Sequence, residues 1–113
     1  MASKELIAAS SRPLVLAILS ERESYGYEII GRVKELSNGK LEWTEGMLYP
    51  VLHRLERDGL IKGRWVVAET GRKRKYYRVS AAGKKQLKAE RSEWETVDSM
   101  LRHLWGGLAK CSI

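Results

Sequence analysis

The sequence predicts a mainly α fold carrying one two-stranded β-hairpin, and three observations predict it. Apolar residues recur at helical spacing up to residue 60 and again beyond residue 80. Between these stretches, two short runs rich in valine, tyrosine and tryptophan flank a turn at Glu69-Thr70-Gly71. Residues that start and stop helices stand at the joints: Thr44, Gly59 and Ser80.

Leu6, Ile7, Ala8 and Ala9 open a helical segment. Pro13 lacks a backbone N–H, so the segment is expected to kink or restart there, with Ser10 or Ser11 capping the run Leu14 to Leu19. Ser20 to Ser24 is a polar connection. A second helix runs from Tyr25 to Leu36: Ile29, Ile30, Val33 and Leu36 line one side, and Glu28, Arg32 and Glu35 the other. Ser37-Asn38-Gly39 stops it. Leu41-Glu42-Trp43 alternates as a short strand does. Thr44 then caps a third helix, Glu45 to Asp58, with Glu45 in the first turn, where the helix dipole favours an acid. Its inner face is Leu48, Val51, Leu52 and Leu55. Its outer face is Gly46, Pro50, His53, Arg54 and Arg57, with Tyr49 at the edge. Leu60 to Ala68 and Tyr76 to Val79 are the two strands. Ser80 caps a last helix from Ala81 to about Trp105, which Gly106 and Gly107 close. Two helices joined by a polar turn, then a hairpin, describe a winged helix-turn-helix. The division expected is a DNA-binding unit over 1–80 and a dimerisation helix with its tail over 81–113.

At 113 residues the chain is one small domain with an appendage. Cys111 is the single cysteine and forms no internal disulfide. The longest apolar run, Pro13 to Leu19, is far below the ~20 residues that span a bilayer. A cytoplasmic, reduced protein without membrane contact is expected. No catalytic set stands out. His53 and His103 fall on different helices and no spacing marks metal ligands, so neither metal nor cofactor is expected.

Charge separates one segment from the rest. The chain is +7 overall, and between Leu60 and Ser80 seven bases face one acid, Glu69. A one-signed hairpin suits a polyanion, above all a nucleic acid backbone. The third helix, sized for the major groove, would offer Tyr49, Pro50, His53, Arg54 and Arg57, and the hairpin would bring Arg72, Lys73, Arg74 and Lys75 to flanking phosphates. Other uses compete. Arg54 and Arg57 can pair with Glu45, Glu56 or Asp58, and Tyr49 can pack.

Three stretches in order resemble the PadR family of winged-helix transcriptional regulators, mostly repressors. They are Tyr25-Gly26-Tyr27-Glu28-Ile29, the run Leu48 to Ile61, and Gly71-Arg72-Lys73-Arg74-Lys75-Tyr76-Tyr77-Arg78-Val79-Ser80-Ala81-Ala82-Gly83. The resemblance covers about Glu5 to Trp105. It implies that Tyr49 and its helix face meet double-stranded DNA, that Arg72 to Lys75 form the wing contact, and that the single last helix forms a homodimer. Met47 departs from the family pattern, which has threonine there, so base preference does not carry over.

The last helix supports pairing on its own terms. In heptads, Leu87, Trp94, Leu101 and Leu108 fall at one seam position and Glu90, Val97 and Leu104 at the other. Only Glu90 breaks the stripe. A twofold pair buried along Leu87, Trp94, Val97, Leu101 and Leu104 suits a pseudopalindromic operator. Two facing Trp94 indoles could sandwich a planar aromatic ligand, with Asp98 neutralising a cationic one. The plain alternative makes Trp94 dimer core and the chain an effector-independent architectural dimer. Glu93 to Asp98 resembles the segment by which some compact PadR regulators hold planar drugs between paired tryptophans. That likeness implies Leu6, Ala9 and Val97 as pocket wall. Trp43, Trp65 and Trp105 read as packing residues.

Overall fold

Ser3 opens the first helix, its hydroxyl accepting the Leu6 N–H at 3.2 Å. The computed structural model describes residues 3–111, with side chains as far as residue 106. Helix α1 (Lys4–Glu21) runs through Pro13 without restarting. Ser10 and Ser11 cap nothing; their hydroxyls donate back to the Leu6 and Ala8 carbonyls at 2.7 and 3.0 Å. An interior proline costs ~3 kcal/mol. Val15, Leu16, Ile18 and Leu19, all buried in the following turns, each return ~1.5–3 kcal/mol, and packing wins.

The connection after α1 contains a strand. Ser24–Tyr25 (β1) pairs antiparallel with Tyr77 and Tyr76, so the sheet has three strands, not two. Two residues are too few for alternation to reveal. Helix α2 (Gly26–Leu36) follows, and the Glu28 carboxylate accepts the Tyr25 N–H at 3.2 Å. Asn38 and Gly39 turn through positive φ. Leu41 to Trp43 forms no strand; Trp43 turns into the core instead.

Helix α3 (Glu45–Arg57) is closed at both ends as the sequence indicates. Thr44 Oγ1 accepts the Met47 N–H at 3.3 Å. At the far end Gly59 has φ +74°. The Leu60 N–H reaches the Leu55 carbonyl at 2.9 Å, and the Gly59 N–H the Glu56 carbonyl at 3.0 Å.

Strands β2 (Ile61–Val67) and β3 (Lys73–Val79) pair in register from Ile61 opposite Val79 to Val67 opposite Lys73. The second strand therefore begins three residues earlier than its aromatic run suggests. Pairing with Trp65, Val66 and Val67 holds Lys75, Arg74 and Lys73 extended.

Helix α4 (Ala81–Cys111) is riveted to the base of the hairpin. Ser80 Oγ accepts the Gly83 N–H at 3.0 Å and donates to the Gly59 carbonyl at 2.7 Å. Gly83 lies so close that a Cβ there would sit 2.0 Å from the Leu60 carbonyl oxygen. Gly106 and Gly107 do not end the helix. Each costs only ~1 kcal/mol against alanine, and extending an existing helix needs no new nucleus. The side chains of Leu108, a seam position, and Cys111 lie beyond those described.

The core joins α1, α2, α3 and the sheet base through Leu16, Ile29, Leu48, Leu52, Leu55 and Ile61. Leu87 of α4 packs against it. From Arg91 to Gly106 every side chain of α4 is exposed, which stretches the molecule to 60 × 29 × 21 Å. Glu90, the break in the stripe, is where α4 meets α1: the Arg12 Nε donates to its carboxylate at 3.0 Å. Trp65 and Trp105 do not pack within the protomer; they are 66% and 57% exposed, so only Trp43 fits the packing reading. No helix is long and apolar enough to cross a membrane among the described residues.

Candidate nucleic-acid interface

Helix α3 and the hairpin face each other across an open cleft of about 680 Å³. Tyr49 and His53, one helical turn apart, form its α3 wall, and Trp65, Lys73, Lys75 and Tyr77 stand on the sheet side. Tyr49 is held at the edge by its neighbour on α2: a Cβ at Gly26 would meet its Oη at 3.0 Å. It is nonetheless 40% exposed, so it both packs and presents a surface.

Pro50 and His53 are exposed on the outer face of α3. Arg54 and Arg57 sit on its other flank, beside Ala8 and Ser11 of α1. Arg57 pairs with Asp58 at 3.4 Å; both side chains are exposed, and such a pair is worth little. Arg54 makes no ion pair among the described residues. Of the five predicted α3 residues, Tyr49 and His53 line the cleft, Arg54 and Arg57 stand on the α1 side, and Pro50 lines neither concavity.

Strand alternation sorts the basic run. Lys73, Lys75 and Tyr77 share the face toward α3, whereas Arg74, Tyr76 and Arg78 share the other. The Arg74 guanidinium lies 4.7 Å from the centre of the Tyr25 ring, and Tyr25 meets Tyr76 edge-on at 5.2 Å. Lys75 Nζ donates to the Glu56 carboxylate at 2.9 Å. That hydrogen bond holds the ammonium above its usual pKa. Arg64 is paired too, with Glu23, whose carboxyl is held below its ordinary value chiefly by that hydrogen bond. Lys62, Arg72, Lys73, Arg74 and Arg78 have no carboxylate partner among the described residues. Arg72, Lys73 and Arg74 lie toward the turn, where Glu69 is the one acid of the segment.

Beyond the residues that the sequence assigns to this surface, Tyr25, Gly26, Tyr27, Glu45, Trp65 and Tyr77 also line the cleft. Tyr27 sits in the first turn of α2, and the nearby Glu45 carboxylate raises its phenol pKa. Its neighbour Gly26, which gives Tyr49 room, was the available signal.

A second concavity, about 560 Å³, runs between α1 and α4. Pro13, Leu14, Ala17, Leu87 and Trp94 form its apolar wall, with Asp98 at the rim. Trp94 and Asp98 therefore share one groove, but Leu6, Ala9 and Val97 do not line it. Asp98 is engaged by Arg102 at 2.7 Å. Along the seam, Leu87 is spent within the protomer, whereas Trp94, Val97, Leu101 and Leu104 are 36–60% exposed. No cluster of three metal-ligating side chains occurs among the described residues.

Residues 15–89 match the transcriptional regulator PadR-like family. The chain is 33% identical over 104 residues to the transcriptional regulator Rv3488 of Mycobacterium tuberculosis, covering 92% of this chain and 91% of that one. It is 31% identical over 108 residues to an uncharacterised protein of Lysinibacillus sphaericus, covering 96% and 99%. A transcriptional regulator from Clostridium thermocellum shares its fold with a TM-score of 0.81 at 31% identity, over 91% of this chain and 97% of that one. A PadR-like transcriptional regulator from Bacillus cereus does so at 0.77 and 29%, over 89% and 96%. The family match spans the buried half of α1, the helix-turn-helix, the wing and the root of α4, and this chain belongs to the PadR-like family of DNA-binding transcriptional regulators.

Proposed function

We propose that the chain acts in the cytoplasm as a homodimeric repressor, residues 1–80 holding a pseudopalindromic duplex operator and 81–113 joining the two copies. One observation carries the DNA contact: a cleft between α3 and the wing edged by Arg72 and Lys73, neither with a carboxylate partner among the described residues. Helix α3 enters the major groove with Tyr49, Pro50 and His53 foremost, Arg54 and Arg57 reach the backbone on its flank, and the wing cations take neighbouring phosphates. Pairing rests on the exposed seam of α4, where Trp94, Val97, Leu101 and Leu104 leave 36–60% of their surface in water and covering apolar surface gains ~25 cal/mol per Å².

Release by a flat aromatic ligand, cationic or neutral, is supported by the apolar groove beside Trp94 and Asp98. Such a ligand would act by rotating the α4 pair and respacing the recognition helices, provided that it binds the two arrangements unequally. A second reading, an effector-independent architectural dimer, draws on the Arg102 partner of Asp98 and on the absence of Leu6, Ala9 and Val97 from the groove.

Sedimentation, followed by selection of bound genomic fragments with and without planar aromatics, tests all three parts. A dimer that enriches defined sites by ~10³ over bulk DNA and loses them with an aromatic supports the proposal. Enrichment that no aromatic alters favours the second reading. A monomer that retains no duplex at low salt refutes both.

A further inference from the structure

Strand alternation brings Trp65 to the same face as Ile61, Gly63 and Val67. Ile61 is 1% exposed and closes the core. Two residues on, Gly63 makes room for Lys75 and Glu56, because a Cβ there would meet both side chains. Beyond it the face turns apolar and open. Trp65 is 66% exposed and Val67 is 62% exposed, and they stand directly opposite Lys75 and Lys73. A tryptophan on the inner side of a hairpin, in a cleft it shares with Tyr49 and His53, is not a random surface apolar residue. The α1–α4 groove does not include it.

The charge around this strip says what covers it. Arg72 and Lys73 draw a polyanion to the wing, and a duplex that seats α3 in its major groove brings an adjacent minor groove to a flanking hairpin. That groove, about 6 Å wide, excludes a helix but admits side chains, and deoxyribose rings form its walls. Arg72 and Lys73 on such a surface meet phosphates; an indole on the same hairpin meets the sugar faces between them.

We propose that Trp65, assisted by Val67, is an uncharged DNA contact that packs its indole against deoxyribose at the wall of the minor groove. It supplies affinity that salt does not screen. This rests on duplex binding by α3 and the wing, and the test separates the two.

In the full chain, Trp65→Ala is expected to weaken duplex binding about tenfold while leaving the slope of log affinity against log salt unchanged. Trp65→Phe should recover most of the loss. With Trp94→Phe and Trp105→Phe in place, only the buried Trp43 emits beside Trp65, and the exposed component of the emission should shift to shorter wavelength on adding duplex, as packing on sugar removes water. Equal affinity of parent and Trp65→Ala overturns the inference and leaves the DNA reading intact. A loss accompanied by a flatter salt slope assigns the effect to the neighbouring Lys75 and also overturns it. Quenching without a blue shift indicates stacking on bases and overturns the sugar contact. A parent that does not bind duplex removes the reading beneath it.

Discussion

Lys73 and Lys75 stand on the same face of β3 and carry the same charge, yet their removal should read differently in a salt titration. Lys75 donates to Glu56 at 2.9 Å, with side chains only 26% and 32% exposed. Lys73 has no such partner and is exposed. Each neutralised phosphate contributes about 0.9 to the slope of log affinity against log salt. Between 50 and 200 mM salt that is ~0.5 log units, or a factor of ~3.5, per contact. Lys73→Ala should therefore flatten the slope by about 0.9 and weaken binding on every sequence alike. Lys75→Ala should leave the slope in place, because its charge is already answered within the protein. Glu56→Gln should free Lys75 and steepen the slope by about 0.9. Anisotropy of a labelled duplex over that salt range resolves these differences. If Lys75→Ala flattens the slope as much as Lys73→Ala, the lysine leaves Glu56 for a phosphate on binding, and the assignment from the unbound geometry is wrong.

Gly83→Ala places a methyl 2.0 Å from the Leu60 carbonyl and 2.7 Å from Val79 Cγ2; a loss of about 2–4 kcal/mol in urea unfolding is expected despite the gain in helix propensity, and a change below about 0.5 kcal/mol would contradict that packing. Arg12→Met strips the half-buried Glu90 of its arginine, which should cost ~1–3 kcal/mol, whereas adding Glu90→Leu should restore the parent midpoint or exceed it; a double variant no better than the single would show that the pair is not the reason. Burial raises the Tyr77 phenol pKa, and the hydrogen bond to Glu56 raises that of Lys75. Both groups hold their protons more tightly folded than unfolded, so their contribution is complete below pH ~10 and disappears as pH climbs through the folded values. Thermal midpoints should therefore fall on the alkaline side, less steeply in Tyr77→Phe; an unchanged decline in that variant would exclude Tyr77 as a cause.

The elements legible in the sequence were those fixed by local chemistry. Thr44, Gly59 and Ser80 end or begin helices through bonds within a few residues, and each does so in the structure. Most misreadings lie where a distant partner decided. Pro13 is a helix breaker by itself, but the four buried residues that follow keep α1 whole. Ser24–Tyr25 is a strand only because β3 passes beside it, and Lys73 to Lys75 are extended only because β2 pairs with them. Trp65 and Trp105 read as packing residues by type, but whether a surface is available to receive them is not a property of the residue, and both stand exposed.

Of the candidate sites, the sequence by itself located the positive charge, since a count of bases along the chain needs no coordinates, and it placed that charge next to an amphipathic helix by spacing alone. It could not say which of those charges remain unanswered. Only the tertiary structure set Glu56 against Lys75, Glu23 against Arg64 and Arg12 against Glu90, because these partners lie 19, 41 and 78 residues apart. Electrostatic attraction falls with distance through space, and the fold sets that distance.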